Sequence, residues 1–158
     1  MFKLKSLIFI ACILLPLTIG FLGSYFTIAS VETWYKTLEQ PFLSPPNWVF
    51  GPVWTTLYIL MGISSFLIIK SGINKKNKNA LQLYSLQILV NLLWSLVFFG
   101  MHSILGGFLI IVILWVLIFL TIRVFYKINK NAGILLIPYL IWVSFATLLN
   151  FFFLILNS

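Results

Sequence analysis

Residues 103–125 read SILGGFLIIVILWVLIFLTIRVF, and the one charge in this stretch, Arg123, stands near its end. A bilayer's hydrocarbon core is roughly 30 Å thick and takes about 20 apolar residues to cross as a helix. Inside lipid the backbone must satisfy its own hydrogen bonds, which a helix does. The stretch therefore predicts a transmembrane helix. Working outward, residues 6–28, 48–69, 80–100 and 132–156 meet the same requirement. The expected fold is an all-α membrane protein, a single domain over 1–158 built as a five-transmembrane-helix bundle, with an ordered outer loop over 29–47.

Composition points the same way. Hydrophobic residues make up 62% of the chain and charged residues 8%, with a mean hydropathy of +1.14. A water-soluble domain carries roughly 25% charged residues. With so few charges to solvate it, much of this surface must face lipid. The net charge of +8 does not read as nucleic-acid binding, because the basic residues cluster at the ends of apolar runs. Of the ten, all but Lys36 fall before the first span, between the second and third, or from the end of the fourth to the start of the fifth. The positive-inside rule then places the amino terminus in the cytoplasm and the carboxyl terminus outside. Lys3 and Lys5 precede a first run whose apolar stretch is longer than a signal core and lacks a small-x-small cleavage site, so it reads as a retained helix. Cys12 is the one cysteine and has no metal-ligand spacing around it. Frequent asparagine, isoleucine and lysine suggest an AT-rich bacterial genome, and hence a multi-pass protein of the bacterial plasma membrane.

The outer loop holds both glutamates, Glu32 and Glu39, with Trp34, Tyr35, Phe42 and the prolines Pro41, Pro45 and Pro46. Proline stiffens the chain and removes backbone donors, and aromatics suit the membrane interface. The loop reads as an ordered cap over the outer end of the bundle. His102, the one histidine, falls in the short loop between the third and fourth spans and reads as solvated. No ionisable group lies in the middle of a span, which argues against an ion-coupled transporter. No catalytic or metal-binding set of the usual kinds is present.

Polar and aromatic residues do line up on helix faces, since residues three and four apart are neighbours. The second span has Trp54 and Tyr58. The third has Gln87, Asn91, Trp94, Ser95 and Phe98, and the fifth has Trp142, Ala146 and Asn150. An amide facing lipid would lose its hydrogen bonds, so Gln87, Asn91 and Asn150 should face the bundle interior. Two readings stay open on pattern alone. The amides and indoles form interhelical glue, or they converge on an apolar cavity with a few polar groups, the usual form of a small-molecule site.

At these same residues the chain resembles the TspO family of tryptophan-rich sensory proteins, related to the mitochondrial translocator protein or peripheral benzodiazepine receptor. The resemblance rests on Trp34-Tyr35, Leu38, Pro41, Pro45-Pro46, and Phe50-Gly51-Pro52-Val53-Trp54-Thr55 with Leu57-Tyr58. It continues through Gln87, Asn91, Trp94-Ser95 and Phe98-Phe99, then Pro138-Tyr139, Trp142, Phe145-Ala146 and Leu149-Asn150. It implies a five-helix bundle, often a homodimer, with a pocket beneath the first loop. The implied ligand is a small lipophile: a porphyrin or haem-type tetrapyrrole, an isoquinoline- or benzodiazepine-type compound, or a sterol. No resident cofactor is required. Carried over by position, the pocket comprises Trp34, Tyr35, Pro45, Trp54, Tyr58, Asn91, Trp94, Trp142 and Ala146. The implied activity is that of a receptor. Light-dependent porphyrin degradation with Trp54 and Trp142 as photochemical donors is an alternative, and passive delivery of tetrapyrrole or sterol is another. The chain departs from the pattern in three places. Leu43 stands where the family has a loop tryptophan. Phe151, Phe152 and Phe153 are followed by no basic residue of a sterol motif. The third span lacks the glycine-rich dimer face of some relatives.

Overall fold

A computed structural model describes residues 2–158. Among the described residues, six of the seven α-helices build five spans and the other lies in a loop. The first is α1, Phe2–Val31. A short α2, Trp34–Thr37, follows within the loop, and a 3₁₀ turn, Asn47–Val49, leads into α3, Phe50–Lys70. The third span is α4, Lys75–Ser95, prolonged by a π-helical turn, Leu96–Gly100. The fourth is α5, Ile104–Ile128. The fifth is broken into α6, Lys130–Leu135, and α7, Ile137–Leu156.

The ends of these helices follow from local chemistry. Gly72, with φ of 111°, turns the chain after α3 in the left-handed region that suits glycine. The Asn74 side chain then accepts from the Asn77 N–H at 2.9 Å. That cap lets α4 begin at Lys75, in a polar turn ahead of the apolar run that hydropathy alone would mark. Ser103 and Asn129 cap α5 and α6 in the same way. The break at Leu136 precedes Pro138, whose missing N–H and ring bulk interrupt the ladder.

The spans pack as a closed ring in the order one, two, five, four, three, with three returning against one. Ile68, Ile111, Leu114, Ile118, Phe125 and Val143 are sealed in its centre. The ring is stapled by polar bonds as well as by packing. Ser64 on α3 donates to the Ala132 carbonyl of α6 at 2.7 Å, and Trp115 on α5 donates to Ser144 Oγ of α7 at 2.7 Å. The basic loops meet at one end of the bundle, and the proline-rich loop caps the other.

The span α1 is peripheral and is joined unevenly to α3. Near the basic end the two helices touch closely. Phe9 meets Phe66 edge-on at 5.1 Å between ring centroids. A Cβ on Gly62 would fall 2.7 Å from the Cys12 carbonyl oxygen, and one on Gly20 would fall 2.2 Å from the Tyr58 ring. Those two glycines set how near the helices come. Beyond Gly20, towards the cap, the helices part.

Candidate functional site

Where α1 and α3 part, a cavity of about 620 Å³ lies beneath the cap, walled by α1, α3, α4 and the loop. Tyr35 forms part of its roof. Trp54, Tyr58 and Trp94 form its inner wall, and Phe99 stands at the end of α4. These rings contact one another. Trp54 stacks on Tyr58 at 5.6 Å and lies 6.2 Å from Trp94, which in turn meets Phe99 edge-on at 5.9 Å. The π-helical turn brings two consecutive phenylalanines to bear on the site: Phe98 is buried behind Trp94 and Phe99 lines the cavity.

Three of the hydroxyls on the wall are spent within their own helices. Ser24, Thr27 and Thr55 each donate to a carbonyl of their own helix, at 2.7, 3.2 and 2.8 Å. The site is thus an apolar, aromatic container whose polar atoms are largely internally paired. Glu32 at its rim is ion-paired with Lys36.

Of the residues singled out above, Tyr35, Trp54, Tyr58 and Trp94 line this cavity together. Three others stand one layer behind it. Asn91 Oδ1 accepts from the Tyr58 hydroxyl at 3.1 Å and its Nδ2 donates to Tyr139 Oη at 2.8 Å. Tyr139 passes the chain on to Gln87 Oε1 at 2.9 Å. Trp94 donates to Asn150 Oδ1 at 3.3 Å, and Asn150 Nδ2 donates to the Ala146 carbonyl at 2.8 Å. Trp142 packs on Phe50, a cavity-lining ring, at 6.1 Å, and its buried indole N–H has no hydrogen-bond partner. The amides are therefore interhelical glue, and what they hold in place is the aromatic wall of a cavity. The two readings of the polar stripes describe successive layers of one structure.

Trp34 and Pro45 belong to the cap. Trp34 is gripped between Phe98, edge-on at 5.6 Å, and His102, stacked at 4.6 Å with 15° between the planes. His102 is exposed, as expected, and adopts φ of 54° in the turn before α5, and its ring also stacks on the loop's Trp34. Pro45 lines a shallower hollow of about 450 Å³ on the loop itself. The cap has further fastenings. Tyr35 sits between Phe99 and Phe153, and Gln40 Nε2 donates to its carbonyl at 2.9 Å. Burial pushes the Tyr35 phenol up to about 12, with the Ser44 hydroxyl offsetting part of the rise. At the far end of the chain, Asn157 accepts from the Glu39 N–H at 2.8 Å and donates to the Glu39 carbonyl at 3.1 Å.

Hydropathy did not single out the α1 wall, because glycine, serine and threonine within an apolar span look like any lipid-facing helix. The signal that was available is their spacing: Gly20, Gly23, Ser24 and Thr27 recur at threes and fours on one face.

Comparison with known proteins agrees with this architecture. The model of the TspO/MBR family matches residues 12–156. The tryptophan-rich protein TspO of Chlorobaculum tepidum is 46% identical over 147 residues, covering 92% of this chain and 93% of that protein. The protein of the same name from Archaeoglobus fulgidus is 43% identical over 149 residues, covering 94% and 96%. The translocator protein of Bos taurus is 34% identical over 140 residues, covering 87% and 83%. With five membrane-spanning helices, the aromatic motifs in order along them, and matches over nearly the whole length, this chain belongs to the TspO/MBR family.

Proposed function

We propose that this multi-pass membrane protein is a receptor for porphyrins and related tetrapyrroles, or for lipophiles of similar flat shape, held in the cavity beneath the cap. The observation that carries the reading is the wall of Tyr35, Trp54, Tyr58, Trp94 and Phe99 around about 620 Å³. Small-molecule sites occupy roughly 300–1,000 Å³ and are mostly apolar with a few placed polar groups. Stacked aromatic rings favour a planar partner. The relatives carry names such as tryptophan-rich protein and translocator protein, which are compatible with ligand handling in a membrane. A bacterial plasma membrane is the location this reading takes.

Saturable quenching of tryptophan fluorescence by protoporphyrin in proteoliposomes tests it. Trp54→Phe and Trp94→Leu should each weaken the apparent affinity by about tenfold, the loss of roughly 1.4 kcal/mol. Trp142→Phe, one layer back, should change it far less. If Trp142→Phe is the damaging change and Trp54→Phe is silent, the ligand sits on the fifth-span side and this cavity is not its site.

A second reading is light-dependent breakdown of bound porphyrin. It is favoured by Trp54, whose ring lies within 6.2 Å of Tyr58, Trp94 and Tyr139, a run of oxidisable rings at the cavity wall. An excited porphyrin could take one electron from Trp54 there. A product that forms under illumination and is lost in Trp54→Phe at saturating porphyrin would separate catalysis from binding.

A further inference from the structure

We infer that the cavity fills sideways, from the membrane leaflet on the cap side, through a portal between α1 and α3, while the cap stays fastened. The ligand class this implies, a lipophile already dissolved in the bilayer, rests on the receptor reading. The portal itself does not.

Three observations carry it. First, α1 and α3 form a V. They are closed towards the basic end by Phe9 on Phe66, by Cys12 beside Ser65, and by the close contacts at Gly62 and Gly20. From Leu17 outward no side-chain hydrogen bond joins the two helices among the described residues, and the cavity occupies the gap.

Second, the cavity's own lining reaches the outer surface of the bundle. Phe21 is 76% exposed, Ile28 72% and Trp48 75%, and all three line the cavity. Phe21 and Ile28 lie within a span, so the surface they reach is the one that faces lipid. Gly51, at the start of α3, also lines the gap, with nothing within 4 Å of where a Cβ would stand.

Third, the alternative route through the cap is barred by more contacts than the gap is. The Trp34 grip, the Tyr35 seat between two phenylalanines and the two-point Asn157–Glu39 pairing would all have to release. At the portal the cavity lining already reaches the surface at Phe21 and Trp48. A ligand partitioned into hydrocarbon also keeps its apolar surface out of water along this path.

The test uses thiol labelling and no tetrapyrrole, so it stands whether or not porphyrin is the ligand. Ser95 lines the cavity on α4, packed against Gly23 of α1, where a Cβ would stand 3.2 Å from the Ser95 Oγ. Ser95→Cys in a Cys12→Ala background is placed in proteoliposomes. It is treated with N-dodecylmaleimide, which dissolves in the bilayer, or with a sulfonate-bearing maleimide that stays in water. The alkyl reagent should label more than about tenfold faster, since its hydrocarbon chain concentrates it in the bilayer. Gly51→Phe, which fills the portal from an open position, should slow the alkyl reagent severalfold, and Thr55→Trp should do the same from the next helical turn. Asn157→Ala, which loosens the cap, should leave the rate unchanged. The inference is overturned if the sulfonated reagent keeps pace, or if Asn157→Ala accelerates labelling while Gly51→Phe and Thr55→Trp have no effect. It is overturned equally if neither reagent reaches Ser95→Cys or Ser24→Cys in folded protein that both label after denaturation.

Discussion

Tyr139 holds two amides through a single oxygen: it accepts from Asn91 and donates to Gln87, deep in the bundle. Tyr58 makes one such bond, to Asn91. Removing the Tyr139 hydroxyl leaves a buried donor and a buried acceptor each short of a partner. An unsatisfied buried group costs about 1–3 kcal/mol, although interhelical bonds in membranes often measure lower, about 0.6 on average. Tyr139→Phe should therefore destabilise the protein by about 1–2 kcal/mol, and by more than Tyr58→Phe does. Unfolding in mixed micelles measures both, and equal losses would mean the amides re-pair once Tyr139 is gone. At this scale the sequence was partly legible. Amides within apolar spans had to face inward, which Gln87, Asn91 and Asn150 do. Which groups they meet was not legible, because Tyr139 lies 52 positions from Gln87 and helical spacing says nothing about partners on other helices.

The outer loop is the element whose order depends most on distant residues. Its proline-aromatic composition announced a cap, but its fastenings, His102 and Asn157, come from other parts of the chain and give no local signal. Asn157→Ala deletes the pairing to Glu39 without touching the five spans. Proteolysis or hydrogen exchange over residues 38–46 should rise severalfold while the spans stay protected. Tyr35 supplies a pH dependence in the same element. Its phenol is held neutral by burial up to about 12, against an ordinary value of 10.0. A raised acid of this kind stabilises the closed loop fully below about pH 10, and that contribution is lost as pH rises through about 12. Phenolate absorbance followed alongside loop proteolysis should show the two changing together, and Tyr35→Phe should remove the step from the proteolysis curve.

For the whole molecule, the five spans were legible because hydropathy and length are properties of each segment alone. The ring order was not. Helix periodicity put Trp142, Ala146 and Asn150 on one face of the fifth span, yet the cavity opens against α1, and the fifth span supports it from behind. Assigning a face to a cavity requires knowing its neighbours, and those follow from packing among all five helices. The charge distribution also acts at this scale. The structure gathers the basic loops at one end and leaves Lys36 with Glu32 at the other. With Cys12 replaced by alanine, Lys76→Cys should label only from the cytoplasmic side of sealed vesicles and Lys36→Cys only from outside. Labelling of both from one side would break the alternating path of the spans.

The Asn157–Glu39 pairing also bears on how the protein is made. Its two halves are separated by 118 positions, and four of the five spans are synthesised between them. At about 5–20 residues per second, the ribosome needs on the order of ten seconds to cover that distance. Through that interval the cap can gain its grip on Phe98 and His102 but lacks the latch at Asn157. The loop thus gains its fastening at Asn157 only after the fifth span has been made, and until then the space between α1 and α3 lies under a cap held at fewer points.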